Sequence, residues 1–294
     1  MASRPIVHLI QNFHVAFLDK SFFLVIYPIV LSLGLLIRTL LSQELFDELK
    51  NSYWISDQNI INKTFADHGL EIFTTLSVLI FIVRIIVSEL QNFKVPLLPT
   101  SFNSKNKTIE KIKKYSKLAV LYGARYGVTY GILLILFKLK NYESVSTGGQ
   151  CQPRLQNSDD VSTLSKRYLK ILCSPGEEWI PGSLNISGHY FFIVTLSLSL
   201  FYELKILLHS TMDSIDKSFE EQDDGLGLSN KLKVSIASAT LTTLLISLVL
   251  LVWIGTLSVT AIFYHTIREK IMGLVFGYLA PVVNYVILAR YYEV

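Results

Sequence analysis

Charge is scarce in this 294-residue chain. Charged residues make up 17% of it, against roughly 25% in a soluble domain. With 51% hydrophobic residues and a mean hydropathy of +0.43, that shortage excludes a globular domain with a large water-facing surface. The net charge is only +4 and is dispersed, so nucleic acid is not an expected partner. Cysteine is rarer still, and two cysteines exclude a disulfide-rich scaffold or a four-cysteine zinc or iron–sulfur centre. No small-residue cleavage site follows the weakly apolar stretch Ile6 to Leu18, which reads as a retained arm on the membrane surface and not as a signal peptide. Gly225-Leu226-Gly227 lacks the strand–helix setting of a phosphate cradle and reads as a surface loop.

What the chain has instead is long apolar runs. Crossing the hydrocarbon core takes about 20 residues, and six stretches qualify: 22–41, 70–88, 118–137, 187–208, 236–264 and 271–289. The expected fold class is all-α, a polytopic integral membrane protein forming a single membrane domain over 1–294 with six transmembrane helices. Arg38, Arg84 and Arg125 fall inside the first three runs. A buried arginine needs a partner or marks a path, and Arg125 is expected to find an ion pair or hydrogen bond inside the bundle, with a role in substrate charge as the alternative. Gly123, Gly127 and Gly131 form one ladder of small residues, and Gly273 with Gly277 a second, each suited to close helix approach. Pro281 is an expected kink. The uncharged run 234–264 would be about 47 Å long as a helix, so it must tilt, bend near Gly255 or project.

Basic residues outside the runs divide thirteen to one side and ten to the other, with seven lysines in 91–117 alone. The positive-inside rule then places both termini and the loops 91–117 and 209–233 in the cytoplasm, and the loop 138–186 in a lumen. In an oxidising lumen Cys151 and Cys173 are candidates for a disulfide. Asn62-Lys63-Thr64 on the same side is a glycosylation candidate at Asn62.

Asn185-Ile186-Ser187-Gly188-His189 enters the fourth run from a polar loop. A histidine one turn inside a membrane helix needs a partner or a purpose, because an unpaired polar group in hydrocarbon costs several kcal/mol. The obvious counterpart is His265, which ends the longest uncharged run on the same expected face. Two helix N-termini point there, and Arg268 and Lys270 add positive charge, so the corner suits an anion and both are phosphate-binding candidates. One imidazole can attack phosphorus or activate water while the other protonates the leaving oxygen. Glu269, four residues after His265, can orient it, and three residues after Thr266 it also completes a capping box. Two histidines and one glutamate are too few for a metal site, and none is assigned. His68 beside the second run reads as incidental.

Ser187-Gly188-His189 resembles the Ser-Gly-His signature of the lipid phosphate phosphatase superfamily, in which that histidine is the acid and a second histidine, followed four residues later by an acidic residue, is the nucleophile. The superfamily's basic motif before the first histidine and its Ser-Arg lead-in to the second are missing. A closer resemblance rests on Ile186-Ser187-Gly188-His189-Tyr190-Phe191, on Gly148-Gly149 before a cysteine, and on Ala261-Ile262-Phe263-Tyr264-His265-Thr266 with Glu269, Lys270 and Gly273. These look like the fat storage-inducing transmembrane (FIT) family, fungal branch. The resemblance implies a multi-pass endoplasmic reticulum membrane protein whose active site faces the lumen. It implies a hydrolase of fatty acyl-CoA diphosphates, giving acyl 4′-phosphopantetheine and adenosine 3′,5′-bisphosphate without a cofactor and supporting lipid-droplet biogenesis and phospholipid balance. His189 and His265 match the family's two essential histidines, supported here by Ser187, Gly188 and Glu269; Asn185 stands where members commonly have Asp. The alternative is a non-catalytic protein that binds diacylglycerol or triacylglycerol among the membrane lipids and organises droplet emergence.

Overall fold

Most of the chain lacks any residue that stops a helix, and helix is what it forms. The computed structural model describes residues 20–56, 59–91, 104–146, 148, 150–153, 177–180, 185–220 and 230–288. Helix α1 is Lys20–Leu40, and a short α2, Gln43–Lys50, follows it. A π-helical turn over Asn62–Ala66 leads into α3, Gly69–Gln91. Then come α4, Ser104–Ser146; the antiparallel pair β1, Gln150–Pro153, and β2, Glu177–Ile180; and α5, Gly188–Glu220. The chain ends with α6, Asn230–Phe263; α7, Ile267–Gly277; α8, Leu279–Val282; and a second π turn, Val283–Ile287. Five helical stretches are long and apolar enough to cross a membrane, and α1 contributes a shorter apolar stretch, Leu24–Leu40. The protein is a polytopic helical membrane protein.

Helix α5 is the axis of the bundle. Phe191, Phe192, Ile193, Val194, Leu196, Leu198, Leu200, Leu204 and Leu207 face every direction around it and are all buried. A helix apolar on all sides belongs at the centre of the protein. The outer helices are apolar on their outward faces too: Val25, Ile29 and Leu33 on α1, Val78 and Ile82 on α3, and Leu241, Leu244, Leu248 and Leu251 on α6 are exposed. Such a surface suits lipid tails and not water. Lipid is as apolar as leucine, so packing contacts, small residues and hydrogen bonds must hold the helices together.

The small residues act where the helices need them. A β-carbon on Gly273 would lie 2.7 Å from the Ser187 carbonyl oxygen, and one on Gly277 would lie 2.7 Å from the Val194 β-carbon. Helix α7 therefore lies directly on α5, as the second glycine ladder leads one to expect. The first ladder does not act this way. Among the described residues nothing lies within 4 Å of a β-carbon at Gly123, Gly127 or Gly131. Gly255 marks no break either, since α6 runs unbroken from Asn230 to Phe263, about 51 Å of helix against a core of about 30 Å.

Helices also run past the apolar stretches. The lysine-rich segment expected as loop is helical from Ser104 onward, and α4 continues through 138–146 to Ser146. Neither 104–117 nor 138–146 contains glycine or proline, and Lys, Glu and Leu extend a helix at little cost. Helix α5 similarly continues through 209–220. Gly225-Leu226-Gly227 and the N-terminal arm lie outside the described residues.

Two prolines show how the bundle repairs its own backbone. Pro28 in α1 has no N–H to offer the carbonyl of Leu24, and the Tyr278 hydroxyl donates to that carbonyl instead. Pro281 likewise leaves the Gly277 carbonyl without a donor, and the Thr195 hydroxyl supplies one at 3.1 Å. The last helix breaks at Tyr278 and finishes as a π turn, where Pro281 was expected to kink it. Removing either hydroxyl leaves a helix carbonyl without its donor. Tyr278→Phe and Thr195→Val are each expected to destabilise the protein by about 1–3 kcal/mol. Thermal unfolding in one detergent, read against the wild type, checks this.

The intramembrane arginines are all engaged. Arg38 stacks over the Phe46 ring, Arg84 donates to the Tyr122 hydroxyl at 3.2 Å, and Arg125 meets Glu203 at 3.0 Å. No continuous polar path is required to explain them.

Candidate active site

Two segments far apart in the sequence meet at one end of the bundle. The first is Asn185-Ile186-Ser187, which leads into α5 with Gly188 and His189 as its opening residues. The second is the turn Tyr264-His265-Thr266, which joins α6 to α7. Glu269 ties them together. Its carboxylate accepts from the Asn185 N–H at 2.6 Å and from the Thr266 N–H at 2.8 Å. Its main-chain carbonyl accepts from the Ser187 N–H at 3.2 Å. Thr266 caps α7 and accepts from the Glu269 N–H at 3.4 Å, so the capping box forms as its spacing suggests. Gly273, one turn further on, leaves the space that lets this stitched corner close.

His265 carries the strain of the corner. Its φ is 59°, in the left-handed region, alone among the described non-glycine residues. Such a conformation costs about 1–3 kcal/mol and persists only where its surroundings hold it. Here they do. The Tyr264 hydroxyl donates to the Ile55 carbonyl, the Phe263 ring stacks on Phe46 at 5.3 Å, and Thr266 caps the helix that follows. The connection after α1 thus buttresses the turn. The His265 Nδ1 lies 3.5 Å from the Glu269 Oε2, an ion-pair approach rather than a short hydrogen bond. That orientation leaves Nε2 for other chemistry.

His189 is partly exposed and lies within electrostatic reach of both His265 and Lys140. Ser187 is fully buried, and its hydroxyl has no partner among the described residues. A β-carbon on Gly188 would stand 3.1 Å from the Lys140 Nζ. The structure therefore brings Ser187, Gly188, His189, His265 and Glu269 to one place.

The two basic candidates on α7 part company. Arg268 is exposed on the first turn. Lys270 turns inward, is buried, and donates from Nζ to the Ala261 carbonyl at 2.6 Å. It thereby satisfies a carbonyl in the last turn of α6, one of the groups a helix end leaves open. Asn62 is partly exposed on the first π turn. Cys151 sits on β1 opposite Trp179, while Cys173 lies outside the described residues, so their pairing is not described. His68 is exposed 3.8 Å from Glu71 and takes no part in the corner.

Two residues of the corner were not singled out from the sequence. Lys140 and Glu143 reach it from the last turns of α4, where the Ile186 N–H is directed at the Glu143 carboxylate. The available signal was the lack of any glycine or proline between Gly131 and Gly148, which lets α4 run on beyond its apolar part.

No solved structure matches the chain. A Saccharomyces cerevisiae protein named acyl-coenzyme A diphosphatase YFT2 is 26% identical over 276 residues, covering 90% of this chain and 91% of the relative. The family described as fat storage-inducing transmembrane protein matches residues 50–285, a range that includes both histidine segments. On that match, over most of its length, the chain belongs to the fat storage-inducing transmembrane (FIT) family.

Proposed function

We propose that this protein hydrolyses the diphosphate of fatty acyl-CoA at the corner held by Glu269. The observation that carries the proposal is His265: a strained, two-sidedly braced histidine with a carboxylate at 3.5 Å and a second histidine within electrostatic reach. Strain of this kind collects at active sites. The activity named for the yeast relative supports the same reading.

In this reaction water adds across the P–O–P bridge. His265, oriented by Glu269, attacks phosphorus through Nε2, and the bridging oxygen leaves with the other phosphate. His189 gives that oxygen its proton. Water then displaces the histidine from phosphorus, its oxygen remains on the phosphate, and the released proton returns to His189. The products are acyl 4′-phosphopantetheine and adenosine 3′,5′-bisphosphate. The acyl chain lies in the membrane and the nucleotide in water, which suits a corner at the end of a bundle with lipid-facing sides. The proposed setting is the luminal face of the endoplasmic reticulum, with six spans, cytoplasmic termini and a role in lipid-droplet formation and phospholipid balance.

The test is a product analysis. Purified full-length protein incubated with oleoyl-CoA is expected to release oleoyl 4′-phosphopantetheine and adenosine 3′,5′-bisphosphate in equal amounts by mass spectrometry. Release of free CoA and oleate would point to thioester cleavage and overturn the proposal. No cleavage at all, with diacylglycerol or triacylglycerol retained through purification, would favour the non-catalytic lipid binder.

A further inference from the structure

The corner has a cation problem. An acyl-CoA diphosphate brings several negative charges to a place that already holds Glu269 and Glu143. Of the two basic residues of α7, Lys270 is occupied with the Ala261 carbonyl and Arg268 points to the outside. Among the described residues, a cation close to His189 comes from another helix. We propose that Lys140 is the phosphate-holding residue of this site and that Gly188 is a glycine so that the Lys140 ammonium can stand beside His189. The assignment rests on the acyl-CoA reading and adds a residue to it.

Three observations carry it. First, the Lys140 Nζ would lie 3.1 Å from a β-carbon at Gly188, a tight approach that places the ammonium directly against the start of α5. Second, its charge is felt at His189, while Glu269 and Glu143 are the acidic groups it senses. Third, among the described residues no hydrogen bond or ion pair closer than 4 Å engages that ammonium, and the residue is partly exposed. An ammonium with three donors and no close acceptor among the described residues is set up to receive one. The first turn of α5 adds its open N–H groups from the same direction. A phosphate oxygen between Lys140 and the start of α5 would sit beside the two histidines. The glycine of the Ser187-Gly188-His189 segment then has a steric reason: it admits the lysine.

The test separates phosphate holding from turnover. His265→Asn protein, expected to turn over about a thousandfold more slowly, is titrated with oleoyl-CoA and with oleoyl pantetheine, which has the acyl chain but no phosphate. Adding Lys140→Met is expected to weaken oleoyl-CoA binding by about tenfold to a hundredfold, the span of one lost charge-assisted hydrogen bond. Oleoyl pantetheine binding is expected to stay within twofold. Lys140→Arg is expected to recover most of the loss. Phosphatidate presented in neutral phosphatidylcholine vesicles is the third ligand. Selective loss with phosphatidate alone would make a lipid headgroup the occupant and overturn the coenzyme assignment. An equal loss with all ligands, or no loss with any, overturns the role of Lys140 outright. The outcomes stay distinct from those of the parent reading. If wild-type protein never cleaves oleoyl-CoA but Lys140→Met still discriminates between oleoyl-CoA and oleoyl pantetheine, catalysis falls and the phosphate site stands.

Discussion

Replacing either His189 or His265 should reduce oleoyl-CoA hydrolysis about a thousandfold, because positioned acid–base groups each contribute roughly a hundredfold to ten-thousandfold. The substitutions need care at His265. Its φ of 59° is poorly suited to most side chains, so alanine there would mix lost chemistry with altered backbone. Asparagine visits the left-handed region more readily, and His265→Asn isolates the imidazole. His189 opens a regular helix, and His189→Ala is sufficient there. The two residues act on one bond, so the double variant should be about as inactive as either single one. Glu269→Gln should cost less, about thirtyfold: it removes the charge facing His265 and keeps one acceptor oxygen, so one of the N–H groups of Asn185 and Thr266, each now held by its own carboxylate oxygen, loses its partner while the side chain still fills its place. Initial rates with purified protein of matched melting temperature check all four. Wild-type turnover in the double histidine variant would take the chemistry away from this corner.

Much of that corner was legible because short-range rules and motif spacing both point to it. Thr266 and Glu269 stand three apart before an apolar run, which is enough to place a helix start. His265 stands four before Glu269's carboxylate along the same turn. What spacing cannot supply is a meeting between helices. Lys140 was hidden because it follows the apolar part of α4, and hydropathy alone ends the helix at that point. The backbone does not: with no breaker until Gly148, α4 carries the lysine on to Gly188. Lys270 misled in the other direction. Its position in the first turn of α7 suggests a free cation, but the neighbouring end of α6 presents an open carbonyl, and a buried ammonium binds the nearest one. The glycines teach the same lesson. Both ladders have the same spacing, yet only Gly273 and Gly277 meet a described neighbour, because small residues permit close packing without selecting a partner. The centrality of α5 was readable in principle, since its apolar residues leave no polar stripe.

The largest expected loss of stability lies far from the chemistry, at the Arg125–Glu203 pair. Glu203 follows His189 by fourteen residues on α5, about 21 Å along the axis. Its Oε1 accepts from Arg125 Nη1 at 3.0 Å and from the Tyr285 hydroxyl at 2.9 Å. Asn284 donates to the Arg125 carbonyl at 3.1 Å and to the Thr129 hydroxyl at 2.8 Å. The network thus joins α4 and α5 to the final π turn. Side-chain exposures of 11% for Arg125 and 5% for Glu203 leave little room for water to screen either charge. Loss of one partner strands the other. Glu203→Leu is therefore expected to cost about 3–5 kcal/mol and to lower the melting temperature by roughly 10 °C. The arithmetic changes when both go. Arg125→Leu with Glu203→Leu removes two desolvated charges together, and such double replacements are commonly neutral or stabilising by about 1–4 kcal/mol. The double variant should therefore melt well above either single one. Because the network makes no contact with the histidine corner, hydrolysis per folded molecule should persist in it. Melting curves for the two single variants and the double, each paired with a rate per folded protein, measure the coupling. If the two single losses simply add in the double variant, the pair is not coupled, and what holds these helices together is packing alone.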